Sequence, residues 1–510
     1  MAKDDSPKYA IRRDLSGGMN TRQNENIISD TQVTLLQNAE IAVAGERSMR
    51  KGNTLSKDLS NDFGTGAFGF EPEGGTNELL VTEDTSLHGC TNPAGTGTDT
   101  YTEHKGDFTA DKQTTIVRAL ESDEGDVAIV SNGTDNCFRM KQDHTMQDLG
   151  DTNTSPPLTT VMEYYRDRLW ALDGEKLMYS GAVPVDYSAT FVRDTNYYSI
   201  PIGDPKFLIG TRNYGIIVGG SSSIYVLNPT VVPDPAADKP DKMVEYGCVA
   251  GNTAKQVADD FLYLSYDGVR GLFRTINDEL QSGDSKPLSW NLEKELGEIN
   301  WTYAHLADAV YFDNKYMITL PTGSSTVNNK IWVFYPAYQA WAVITGMSIG
   351  RFATVKIGNA ERLCGIDAAD GSVYRMFYGT SDNGSAIVYQ EEGRAEDFGE
   401  PLRNKQGGEV KIKAINRGSE AVITPYADID NAGYVQLDGS SLTIEAGGLD
   451  FNFDFPFNFD AVRGSEQWHI DNLGSFKQFK LKLLCNTKDA EVTILENQII
   501  TFVEEYQNED

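Results

Sequence analysis

Residues 166–181 read RDRLWALDGEKLMYSG. An apolar run from Leu169 to Leu172 meets an Asp-Gly pair, and a second run ending in Tyr179 follows. Two short β-prone runs about an Asp-Gly turn are a strong local signal for a β-hairpin. The same grammar returns along the chain. NYGIIVGGSSSIYVLNP begins at Asn213, DDFLYLSYDGVRGLFRT at Asp259, and AERLCGIDAADGSVYRMF at Ala360. Related pairs begin at Asn77, Gly125 and Asp308. Steps between the starts at 77, 125, 166, 213, 259, 308 and 360 are 48, 41, 47, 46, 49 and 52 residues.

A period in the forties with hairpins inside it suits the blades of a β-propeller. A single blade cannot bury both of its faces, so blades close into a ring. The reading is an all-β protein, with a propeller of six or seven blades over residues 56–392. A row of β-sandwich domains is the alternative, and near-equal spacing suits it less.

The pattern stops near residue 390. Residues 391–409, EEGRAEDFGEPLRNKQGGE, read as a linker or long loop. Longer alternating strands follow, such as VKIKAINRG and FKQFKLKLLCN, and predict a β-sandwich over 393–510. Within it, LDFNFDFPFNFDA sets Phe453, Phe455 and Phe457 on alternate positions, so an extended chain projects them to one side. Such a row faces either a core or a partner, and Pro456 favours an edge or loop. Residues 91–116 are polar and irregular, and read as an inserted loop.

Residues 1–55 form a preface. Its stretch 14–52 opens on the turn Ser16-Gly17-Gly18 and closes on Lys51-Gly52. SDTQVTLLQNAEI within it is a candidate helix, capped by Ser29 or Asp30. LSWNLEKELGEI, 288–299, is another. Residues 1–52 hold 8 basic and 7 acidic side chains, whereas the remaining 458 hold 36 and 68. The body carries the acidity, and it would repel nucleic acid rather than bind it. MAKDDSPKYA lacks the apolar run of a secretory leader, which predicts synthesis in a cytoplasm, and no apolar run is long enough for a membrane-spanning helix.

Motifs for catalysis are missing from the sequence. There is no GxxxxGK[ST], no GxSxG and no HExxH. Five scattered cysteines without a CxxC read as buried free thiols. No two of the five histidines stand at i, i+4, so no zinc site is expected. DIDNAG, 428–433, reads as a turn rather than a calcium loop. A glycosidase needs two facing carboxylates, and 75 acidic residues nominate no pair. No cofactor, metal or catalytic residue is expected.

The opening residues and the blade phrases together resemble the tail nozzle family of short-tailed bacteriophages, also called tail tubular protein B or packaged-DNA stabilisation protein. The resemblance rests on Gly17, Gly18, Met19 and Asn20, then Leu36, Asn38, Ala39 and Ile41, then Gly45, Arg47, Arg50, Lys51 and Gly52. It continues through YYRDRLWALDGEKLMYSG, FLYLSYDGVRGL and KIWVFYPAYQAWAVI, the last with Trp341. What it implies is a non-enzymatic virion protein, made in the host cytoplasm and assembled as a hexameric ring in the tail. An adaptor (head-to-tail connector) ring would sit above it and tail fibres or spikes at its side. Double-stranded DNA would pass through the lumen without sequence-specific binding, centred by an acidic wall. The preface would be an assembly arm, with Gly17, Gly18, Met19, Asn20, Leu36, Asn38, Arg47 and Arg50 at an interface between chains. Phe453, Phe455 and Phe457 would meet another partner. A glycan-binding or glycan-degrading propeller of a virion is the competing expectation.

Overall fold

The computed structural model describes residues 7–41, 43, 45–59, 64–121, 124–183, 186–406, 409–437, 441–444, 466–470 and 475–503. Regular structure is almost all β, in many small sheets. Among the described residues, no helix is long and apolar enough to cross a membrane.

The opening stretch forms the hairpin its turn chemistry predicts. Arg168–Asp173 pairs with Lys176–Tyr179, Asp173 opposite Lys176, and Gly174 turns the chain at φ 56°. Met162–Tyr165 and Tyr197–Ser199 complete a four-stranded sheet. Related sheets flank it on both sides, seven in chain order. Their leading strands are Gly64–Phe70, Thr115–Glu121, Met162–Tyr165, Pro205–Thr211, Lys255–Val257, Asp308–Phe312 and Ile349–Ile357. Each leading strand touches that of the next sheet, except that the fourth reaches the fifth through the turn Gly251–Thr253 just before it; the seventh touches the first.

Residues on one strand feed two apolar layers. Leu169 and Ala171 pack toward the second sheet with Val127 and Ile129. Trp170 and Leu172 pack toward the fourth with Ile216 and Val218. Burial on both faces explains why Gly215–Gly220, GIIVGG, is apolar throughout and buried at every position. The fifth sheet has three strands, and α1 (Leu272–Ser282) follows its last strand directly. The repeated hairpin grammar predicts a strand across Leu272 and Phe273. Instead the backbone N–H groups of Phe273 and Arg274 donate to the Asp260 carboxylate at 2.8 and 3.3 Å, which starts a helix there. The expected helix near 288–299 is present as α2 (Glu293–Glu298).

The seventh sheet takes its fourth strand from the other end of the chain. Thr54–Lys57 pairs with Val373–Arg375, so this strand crosses the expected boundary at 55/56. Residues 91–116 are not an insertion: Thr102–Lys105 is the fourth strand of the first sheet. Nor is 391–409 a free linker, since Glu391 and Glu396 are buried and Tyr389–Glu392 is a paired strand.

Beyond residue 388 two sheets meet in one apolar core. Val410–Asn416 and Val492–Val503 anchor one, and Phe479–Cys485 and Ala421–Ile429 the other. Alternate positions point inward, as Val410, Ile412 and Ala414 show. DIDNAG is a hairpin turn, with Asp430 and Asn431 at φ 54° and 60°. The five cysteines are free and buried. Phe453, Phe455 and Phe457 lie outside the described residues.

Candidate functional site

The residues expected at an interface between chains lie inside this one. Leu35–Gln37 is a strand, not part of a helix. It runs parallel to Ala340–Ile344 of the sixth sheet and antiparallel to Tyr389–Glu392 of the C-terminal sheet. One short strand thus joins two large bodies, and those distant partners override the local helical pattern. Asn38 turns the chain out of it at φ 53°.

Each expected residue has a place in this join. Gly18 lies at φ 64°, and a Cβ there would come 2.7 Å from the Trp341 nitrogen. Gly17 packs as closely on Thr31. The Met19 N–H donates to the Trp341 carbonyl at 2.9 Å. Asn20 holds Gln23 and Gln32 through its side-chain amide. Leu36 is fully buried. The Asn38 amide donates to the Val388 carbonyl at 2.8 Å, while its oxygen accepts from Arg50 and from the Thr345 N–H. Arg50 also makes a two-pronged pair with Asp382 at 2.8 and 2.5 Å. Arg47 donates to the carbonyls of Leu15 and Thr31, at 2.5 and 2.9 Å, and faces Glu391 at 3.3 Å. Met19, Asn20, Leu36, Asn38, Arg47 and Arg50 are all buried within the chain, so they form no free surface for a neighbouring copy. The resemblance places these residues between chains, and nothing local shows that partners such as Trp341, Asp382 and Glu391, more than 300 residues away in the same chain, cover them.

A second set of charges sits on the leading strands, and no motif or spacing in the sequence marks it. Glu163, Lys255, Asp308 and Arg351 belong to the third, fifth, sixth and seventh sheets. Arg351 donates to the carbonyls of Leu306 and Thr65, at 3.0 and 3.3 Å, and so ties the seventh sheet to the first. Asp308 accepts the Phe352 N–H at 2.7 Å. Burial raises the proton affinity of Asp308, against the opposing charges of Lys255 and Arg351. Burial pushes Glu163 up to about 7, with the Gly210 N–H and the charge of Lys255 pulling the other way. Glu163 is only half-buried by exposed area. Both facts fit a carboxyl on a confined wall that water reaches.

A carboxyl with a raised folded pKa binds its proton more tightly in the native state, so its contribution falls as pH rises from about 4.5 to 7. The loss is at most about 3 kcal/mol. Glu163→Gln is expected to be more stable than the parent at pH 8 and equal to it near pH 4.5, in urea unfolding at both. Equal stability at pH 8 would show that Glu163 is not held in this way.

No family profile and no characterised protein sequence matches the chain. The chain is similar to the extracellular domain assigned to a hybrid two component system of B. thetaiotaomicron, with TM-score 0.42 and 9% identity over 64% of this chain and 39% of that one. It spans about two fifths of that longer chain. It is also similar to exo-beta-1,3-galactanase from Phanerochaete chrysosporium, solved with galactose, with TM-score 0.24 and 8% identity over 78% of this chain and 97% of that one. Similarity at these scores carries no argument about function.

Proposed function

We propose that the seven sheets are the blades of a closed propeller, and that the chain is a structural subunit of a short-tailed phage nozzle. The observation that supports this most is the join. The residues carrying the resemblance, from Gly17 to Gly52, are those that tie the blades to the C-terminal sheets. A strand from the N-terminus also completes the last blade. Parts tied through strands at both ends of the chain resist separation, as a subunit around moving DNA requires. The net charge of −31 suits a wall that does not grip a polyanion. In this reading the chain forms a hexamer below an adaptor ring and carries fibres or spikes at its side. Densitometry of purified particles is expected to give one hexamer per particle; a stoichiometry unrelated to six would contradict the ring.

A second reading, a propeller of the virion that acts on glycans, has one observation in its favour. Burial raises the Glu163 carboxyl to about 7, and the charge of Lys255 acts on both Glu163 and Asp308, so two carboxyls with raised proton affinity share one cation. Glycan hydrolysis by the purified chain that disappears in Glu163→Gln would establish it. No hydrolysis across a glycan panel would leave the structural reading.

A further inference from the structure

Two of the chain's five histidines meet one glutamate, although no spacing in the sequence joins them. Glu78 opens the second strand of the first sheet, Glu78–Glu83. His104 lies on that sheet's fourth strand. His144 stands in the turn between Phe138–Met140 and Met146–Asp148 of the second sheet. The Nε2 atoms of His104 and His144 lie 2.9 and 3.0 Å from the two oxygens of Glu78. Their rings stack with centroids 4.1 Å apart. His88 points to the opposite face, toward Glu83, and stays outside the group.

We propose that Glu78, His104 and His144 bind a divalent transition-metal ion of the zinc type. Their ligand atoms all lie within 4.8 Å of one another. Two ligands on a tetrahedral ion stand about 3.3 Å apart, from metal–ligand lengths of about 2.0–2.1 Å. Closing the set shortens the separations by at most about 1.5 Å and tilts the stacked rings apart so that both Nε2 lone pairs converge, a movement for which the His144 side chain, 44% exposed, has room. Two imidazoles and a carboxylate favour zinc over magnesium or calcium, which take oxygen ligands.

Two further features favour a built site. Gly89 lies beneath it, and any side chain there would overlap both Glu78 and His104. The His144 backbone is left-handed at φ 66°, held by its N–H bond to the Lys141 carbonyl at 3.0 Å, which aims the ring at Glu78. The ion would pin the first sheet to the second and keep a position open for water or a donor from another molecule.

Calorimetric titration of the full-length, chelator-treated protein with Zn2+ tests this. A one-to-one site is expected, weakened at least about tenfold in His144→Ala. His144 is on an exposed turn, so that variant should fold. Co2+ is expected to give a visible d–d band that His144→Ala lacks, and Mg2+ no heat at this site. Zn2+ binding unchanged in His144→Ala, or no stoichiometric binding at all, would overturn the proposal.

Discussion

Replacing Arg47 with Met is expected to lower the unfolding free energy by about 3–5 kcal/mol. The Arg47 and Glu391 side chains are 1% and 2% exposed, so neither charge reaches water. Arg47 bridges the carbonyls of Leu15 and Thr31 to a strand near residue 390. Met fills the volume of the aliphatic stem but takes the cation from Glu391, which also accepts from the Tyr389 hydroxyl at 2.7 Å. The cost is that of a buried carboxylate without its counter-charge, not that of a surface ion pair. The double variant Arg47→Met with Glu391→Met should recover most of the loss, because no charge then stays buried. Urea unfolding of the three proteins decides it. A change below about 0.5 kcal/mol in the single variant would mean that the segment is not seated as described.

Trp341→Ala should cost about 3–5 kcal/mol. Trp341 is 2% exposed, lies tilted against Phe334 with ring centroids 4.9 Å apart and meets Trp332 edge-on at 6.2 Å. Its indole N–H donates to the Leu288 carbonyl at 3.2 Å, and its own carbonyl accepts from Met19. The indole therefore fills the space where the sixth sheet, residues 18–19 and the turn before α2 come together. The cavity should loosen residues 14–52 before the rest of the chain. Limited proteolysis is expected to cut this stretch sooner in the variant. Equal protection would show that the segment is held without Trp341.

The readable parts of the fold are those whose cause is local. Asp173-Gly174 specifies a hairpin wherever it occurs between β-prone runs, so the repeated sheets were visible. The alternation of Val410, Ile412 and Ala414 likewise marks a half-buried strand. What stayed hidden depends on distant partners. Leu35–Gln37 has a helical neighbourhood and becomes a strand only between residues 343 and 390–392. Thr54–Lys57 gives no sign that its partner is Val373–Arg375. The start of α1 depends on Asp260, in a strand of the same sheet, capping its first turn. The charged groups follow the same rule. Glu163 is one acid among 75 until the sheets surround it. His104 and His144 are 40 positions apart and meet only because neighbouring sheets bring them to Glu78.

The most direct test of the proposed function is antibody labelling of intact phage particles from the source, viewed by negative-stain microscopy. Label confined to the tail, at or just below the portal vertex, is expected. Purified particles that carry no trace of the chain would contradict it.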